Sequence, residues 1–190
     1  MHWKNGKRFI STILSTAMLI TSISSIRVSA DAYKYRFDVN LSNMRIYYSD
    51  SYANNYGLYT MRAAFLWCSD SRLKFIHPVR VSSSSESDVF CRMYSVKNDG
   101  VYAMTNRYYD GYSKGANASK RNWDHCIIKV NNSYNVQIDT LTHEFGHVLG
   151  LDHDSNVNSI MCPHGMNRVA TKPSYSEFTL IYKKYSPYYS

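Results

Sequence analysis

The sequence is poor in chain breakers, with 8 glycines and 4 prolines among 190 residues. That scarcity excludes a collagen-like triple helix and Pro-rich low-complexity sequence. Charged residues are also few, 19% against 44% hydrophobic and 15% aromatic. An intrinsically disordered chain is thereby excluded, and enough apolar material is present for a packed core. No apolar run reaches the roughly 20 residues that span a bilayer; the longest, 9–23, is diluted with Ser and Thr. No cysteines are spaced CxxC, so a cysteine zinc ribbon is excluded. Beyond residue 30 no basic run exceeds two residues, Lys120-Arg121 or Lys183-Lys184, and nothing marks a nucleic-acid-binding arm. Internal repeats and linkers are absent too, which leaves one small globular domain.

What is present begins with an address. Lys4, Lys7 and Arg8 precede the apolar stretch, and Val28-Ser29-Ala30 supplies small residues at cleavage positions. Residues 1–30 are therefore expected to be a signal peptide rather than a membrane anchor, with 31–190 as the mature domain, secreted or held in the cell envelope. Four of the 22 Lys and Arg fall in 1–30, so the mature chain carries a net of +4 against its 14 acids. It is expected to be a monomer without nucleic-acid partners or a stable membrane span. The four cysteines, Cys68, Cys91, Cys126 and Cys162, suit two disulfides in an exported protein, with three possible connectivities. Cys126–Cys162 with Cys68–Cys91 is the pairing expected here.

Periodicity gives a coarse map. Residues 31–48 read as strand, turn, strand, and 55–68 as an amphipathic helix. Strands are expected at 73–76 and 79–81, broken at His77-Pro78, then at 88–96 and 101–105 around the turn Asn98-Asp99-Gly100. Residues 108–122 read as a surface loop, 126–130 as an apolar strand and 136–149 as a helix ended by Gly150. Ser174 and Glu177 form a capping box ahead of Phe178, Ile181, Tyr182 and Tyr185, the last helix. The fold class is α+β: a mixed, twisted sheet with three helices.

Residues 143–153 read HEFGHVLGLDH. His143 and His147 are one helical turn apart and can share a metal ion, with Glu144 beside them to reach a water. Gly150 can adopt positive φ, so the chain turns back and brings His153 to the same metal. Three neutral nitrogens with one open position describe a catalytic zinc. A glycine and a third histidine at fixed offsets make chance far less plausible than for HExxH alone.

This pattern, followed by Ser159-Ile160-Met161-Cys162-Pro163, resembles the metzincin zinc endopeptidases, with their methionine in a tight turn. The short interval from His153 to Met161 and the small mature domain look most like the matrixin branch. The resemblance implies a metzincin-like catalytic domain in which the active-site helix leads into an irregular C-terminal subdomain. It implies zinc on His143, His147 and His153, Glu144 as general base, and Met161 packed beneath the histidines. Substrate would be a peptide or protein laid out in extended form along Val101, Tyr102 and Ala103, with Cys162 and Pro163 near the specificity pocket. Three features depart from the family: Asp154 where many matrixins have Ser, Cys162 where an aromatic is usual, and no cysteine-switch propeptide. A structural Ca2+ or second Zn2+ has no placed ligands; Asp99, Asp110, Asp124 and His125 qualify by type alone. The expected function is a secreted zinc-dependent endopeptidase. The alternatives are a non-catalytic adhesion module and a zinc amidase acting on cell-wall peptides.

Overall fold

The computed structural model describes residues 31–189; the expected signal peptide lies outside them. A six-stranded sheet runs in the order β2-β1-β3-β6-β4-β5. Its strands are β1 (Met44–Tyr48), β2 (Pro78–Arg80), β3 (Val89–Tyr94), β4 (Ala103–Tyr109), β5 (Lys114–Gly115) and β6 (His125–Asn131). The first three and β6 are parallel, whereas β4 is antiparallel to β6 and β5 to β4. Alternation works as expected in β1, where Met44, Ile46 and Tyr48 are buried and the residues between them are not. β6 is buried almost throughout, because it lies inside the sheet between β3 and β4.

Three helical units join the sheet. The first begins at α1 (Asp50–Tyr52), passes through a π-helical stretch (Ala53–Gly57) and continues as α2 (Leu58–Leu66). It starts five residues earlier than its periodicity predicts because the Ser49 side chain caps the Tyr52 N–H. The active-site helix is α3 (Ile138–Val148), and α4 (Tyr175–Tyr185) closes the chain behind the expected capping box, both halves of which are formed. Trp67 from the end of α2, Leu141 and Phe145 from α3, and Ile128 from β6 share one buried core with Trp123 and Tyr185. The indole of Trp67 donates to Thr142 O at 2.9 Å and locks α2 to α3.

Several expectations are corrected. In 31–43 the chain makes only isolated bridges and a 3-10 turn, with Phe37 paired to Trp123. Residues 73–76, expected as a strand, instead hold the end of a 3-10 turn (Ser71–Leu73) and the turn that follows it. β4 runs on to Tyr109, and the expected loop instead folds into a hairpin with β5. Asp110, Gly111 and Tyr112 all take φ near +60° there and reverse the chain. Neither expected disulfide is formed, and all four cysteines are free. Cys91 and Cys126 are buried on neighbouring strands but two rungs out of register. Cys162 lies in the methionine turn packed against α3, and Cys68 turns back to donate to Ala64 O. Burial pushes the Cys68 thiol up to about 12 and raises the other three as well. Among the described residues no helix is long and apolar enough to cross a membrane.

Candidate active site

The last turn of α3 determines where the third histidine goes. Gly150 sits at φ +89°; its N–H bonds His147 O at 3.2 Å and the Leu151 N–H bonds Gly146 O at 2.9 Å. This pair of bonds closes a helix through a left-handed residue and sends the chain back along its own end. Leu151 then bridges to Ala32. Asp152 accepts from the Tyr33 hydroxyl at 2.9 Å and from the His153 N–H at 2.8 Å.

His143, His147 and His153 converge, their ligand atoms all within 4.8 Å of one another. His147 Nε2 lies 3.1 Å from His143 Nε2 and 3.2 Å from His153 Nε2. The far sides of two rings settle their tautomers. His143 Nδ1 donates to Ile160 O and His147 Nδ1 to Leu151 O, each at 2.9 Å, and a carbonyl can only accept. Desolvation holds His143 down at about 4 and His147 well below its ordinary value, so both rings are neutral. Their protons are therefore on Nδ1, and two lone pairs face each other at 3.1 Å with no hydrogen between them. A cation at their meeting point satisfies both lone pairs at once. Nitrogens 2.0–2.1 Å from a tetrahedral zinc lie about 3.3 Å apart, close to the separations here. The residues fit zinc.

Glu144 is buried beside the histidines and lines the same cleft. Its Oε2 accepts from the Thr105 hydroxyl at 2.6 Å. Burial pushes its carboxyl up to about 7, opposed by that hydrogen bond and by the charges of Arg107 and Arg168. A group poised there is matched to proton transfer near neutral pH.

The floor is the methionine turn. Met161 is fully buried, and a Cβ added at Gly146 would overlap its Sδ and lie 2.9 Å from Trp67 Cζ2. Thus HEFGH needs its glycine because Met161 occupies the space a side chain would fill. Glu177 from α4 holds the turn: Oε1 accepts from Ser159 Oγ at 2.6 Å and Met161 N at 3.1 Å, while Oε2 accepts the Ser174 N–H at 2.6 Å. Arg168, buried and ion-paired to Asp139 at 2.8 Å, donates to Ile160 O and Cys162 O.

These elements frame a cleft of about 420 Å³. Val101, Tyr102, Ala103 and Pro163 line it, with Thr105, Arg107, Tyr33 and His164. Cys162 does not; it is buried under the turn. His164 is exposed and its ring packs, tilted by 30°, against Tyr102 with centroids 4.6 Å apart. Spacing could not reveal Thr105, Arg107, Arg168, Tyr33 or the second task of Glu177, because each reaches the site from a distant part of the chain. Among the described residues His143, His147 and His153 are the one group of three ligand-type side chains able to hold a metal. Asp110 is paired with Lys114, Asp124 with His125, and Asp99 is bonded to Asn131.

A comparison with the curated proteins gives no match. The matrixin family profile matches residues 48–180, an interval that starts at the end of β1 and stops inside α4. It takes in α3, the turn at Gly150, His153 and the methionine turn. With the mixed sheet and the three converging imidazoles already in place, this chain belongs to the matrixin family of zinc metalloendopeptidases.

Proposed function

We propose that the protein is a secreted endopeptidase, with residues 1–30 as the signal peptide and 31–190 as the catalytic domain. In this reading His143, His147 and His153 hold one zinc ion and Glu144 is the general base. The carrying observation is the pair of facing Nε2 lone pairs at 3.1 Å, which calls for a cation. A zinc ion held there supplies Lewis acidity, lowering the pKa of water toward about 7 and polarising a peptide carbonyl.

The chain's own groups do the rest. Ile160 O and Leu151 O orient the His143 and His147 rings so that both Nε2 atoms face inward. Thr105 holds one Glu144 oxygen, and the carboxylate takes a proton from water and returns it to the leaving amine. β4 offers the substrate an edge. Tyr102 O bonds Asn131 N toward β6, so the alternate residues Ala103 and Thr105 turn their main-chain groups outward. An extended peptide pairs with that edge through main-chain bonds, with Val101, Tyr102 and Pro163 flanking it. Met161 and Gly150 support the site without touching substrate.

The test is cleavage of casein or a peptide library by the zinc-loaded protein, by chelated protein and by Glu144→Gln. Chelation should abolish cleavage. Glu144→Gln should lose about 10²–10⁴-fold in kcat while zinc affinity changes only a few-fold, because a base and not a ligand has been removed. Zinc binding without cleavage of any peptide would refute the proposal.

A further inference from the structure

The edge of β4 is open for only a short distance. Ala116 N donates to Arg107 O at 2.8 Å, and beyond it Tyr108 and Tyr109 pair with Gly115 and Lys114. The β4–β5 hairpin therefore ends the groove, and Arg107 is the last residue beside its open stretch. The Arg107 guanidinium is held firmly. Nε and Nη2 donate to His147 O at 3.2 and 2.9 Å, and the group lies over the rings of Tyr33 at 4.7 Å and Trp123 at 5.2 Å. Yet among the described residues no carboxylate forms an ion pair with it, and it lines the cleft.

The nearby acids are otherwise engaged. Glu144, the sole acid lining the cleft, is bonded to Thr105, and Asp152 is bonded to Tyr33 and the His153 N–H. Arg168, the other cleft arginine, has Asp139 as its partner. One preorganised cation thus lines the groove with no ion-pair partner among the described residues, and a planar guanidinium suits a carboxylate.

We infer that Arg107 is a specificity residue that selects peptides carrying Asp or Glu where the substrate reaches the hairpin end of the groove. The inference rests on the endopeptidase reading and adds a substrate class to it. The experiment starts from one peptide that the zinc-loaded protein cuts. Glu and Gln are placed in turn at each of the four positions on either side of the scissile bond, and kcat/KM is measured for each pair. On one side only, one position should favour Glu over Gln by roughly five- to tenfold at low salt, and the preference should shrink in concentrated salt. Arg107→Gln should bring the ratio to about one whatever happens to the overall rate, and Arg107→Lys should keep part of it. A ratio near one at every position overturns the inference while leaving the endopeptidase intact. So does a preference that survives in Arg107→Gln. Absence of any cleavage overturns the endopeptidase reading and this inference with it.

Discussion

Gly146→Ala sets two effects against each other, and the structure decides the sign. In an exposed helix the change would stabilise by about 0.5–1 kcal/mol, since glycine loses more backbone entropy on folding. At position 146 the new methyl overlaps Met161 Sδ, lies 3.1 Å from Met161 Cε and 2.9 Å from Trp67 Cζ2. Both neighbours are fully buried, and Trp67 is tied to Thr142 O, so neither has free space to move into. Overpacking of this kind costs about 1–3 kcal/mol. The balance is a net loss of about 1–2 kcal/mol, or about 5 °C in Tm for a domain of this size. Urea unfolding of the chelated protein measures it without a contribution from metal binding. Combining the change with Met161→Ala removes the overlap, so the double variant should be more stable than the sum of the single effects by about 1 kcal/mol or more. If Gly146→Ala raises stability by the helix-propensity amount, the claim that Met161 dictates this glycine is wrong.

Two further outcomes follow from buried carboxylates. Glu144 rises from its ordinary 4.5 to about 7 in the folded protein, so between those values the native state holds a proton that the unfolded chain has released. Stability of the metal-free protein attributable to this group therefore falls as pH rises through that window, by about 3 kcal/mol in all. Chelated Glu144→Gln should match wild type near pH 4 and exceed it by up to that amount at pH 8, read from denaturant unfolding; a constant difference across pH would contradict the assignment. Glu177→Ala removes the acceptor for Ser159 Oγ, Met161 N and Ser174 N. It should cost about 3 kcal/mol and raise the zinc dissociation constant, because the methionine turn also carries the Ile160 carbonyl that orients His143; unchanged zinc affinity in the folded variant would show that the turn does not position the histidine.

Local signals carried much of this protein. HEFGHVLGLDH specified a helical pair of histidines, a glycine that must leave the helix and a third histidine on the returning chain, and all three imidazoles meet. The capping box at Ser174 and Glu177 formed as spacing required, and the alternation in β1 matched its burial. Boundaries were less legible. The hairpin at 109–114 was missed although Asp110-Gly111 is a turn signal, because Tyr112 takes the left-handed conformation too and β5 is only two residues long. The cysteines misled because an even count says nothing of where their strands run.

What the sequence alone determined was the chemistry of the centre, since ligands within eleven consecutive residues are placed by helix geometry and one glycine. Everything that tunes that centre depended on tertiary structure. Thr105 and Arg107 come from an edge strand, Arg168 and Glu177 from segments beyond the methionine turn, and Tyr33 from the start of the described chain. Their distances from α3 along the sequence carry no periodic signal, so only packing of the sheet, α3 and α4 around one core reveals which carbonyl each guanidinium holds and which hydroxyl meets Glu144.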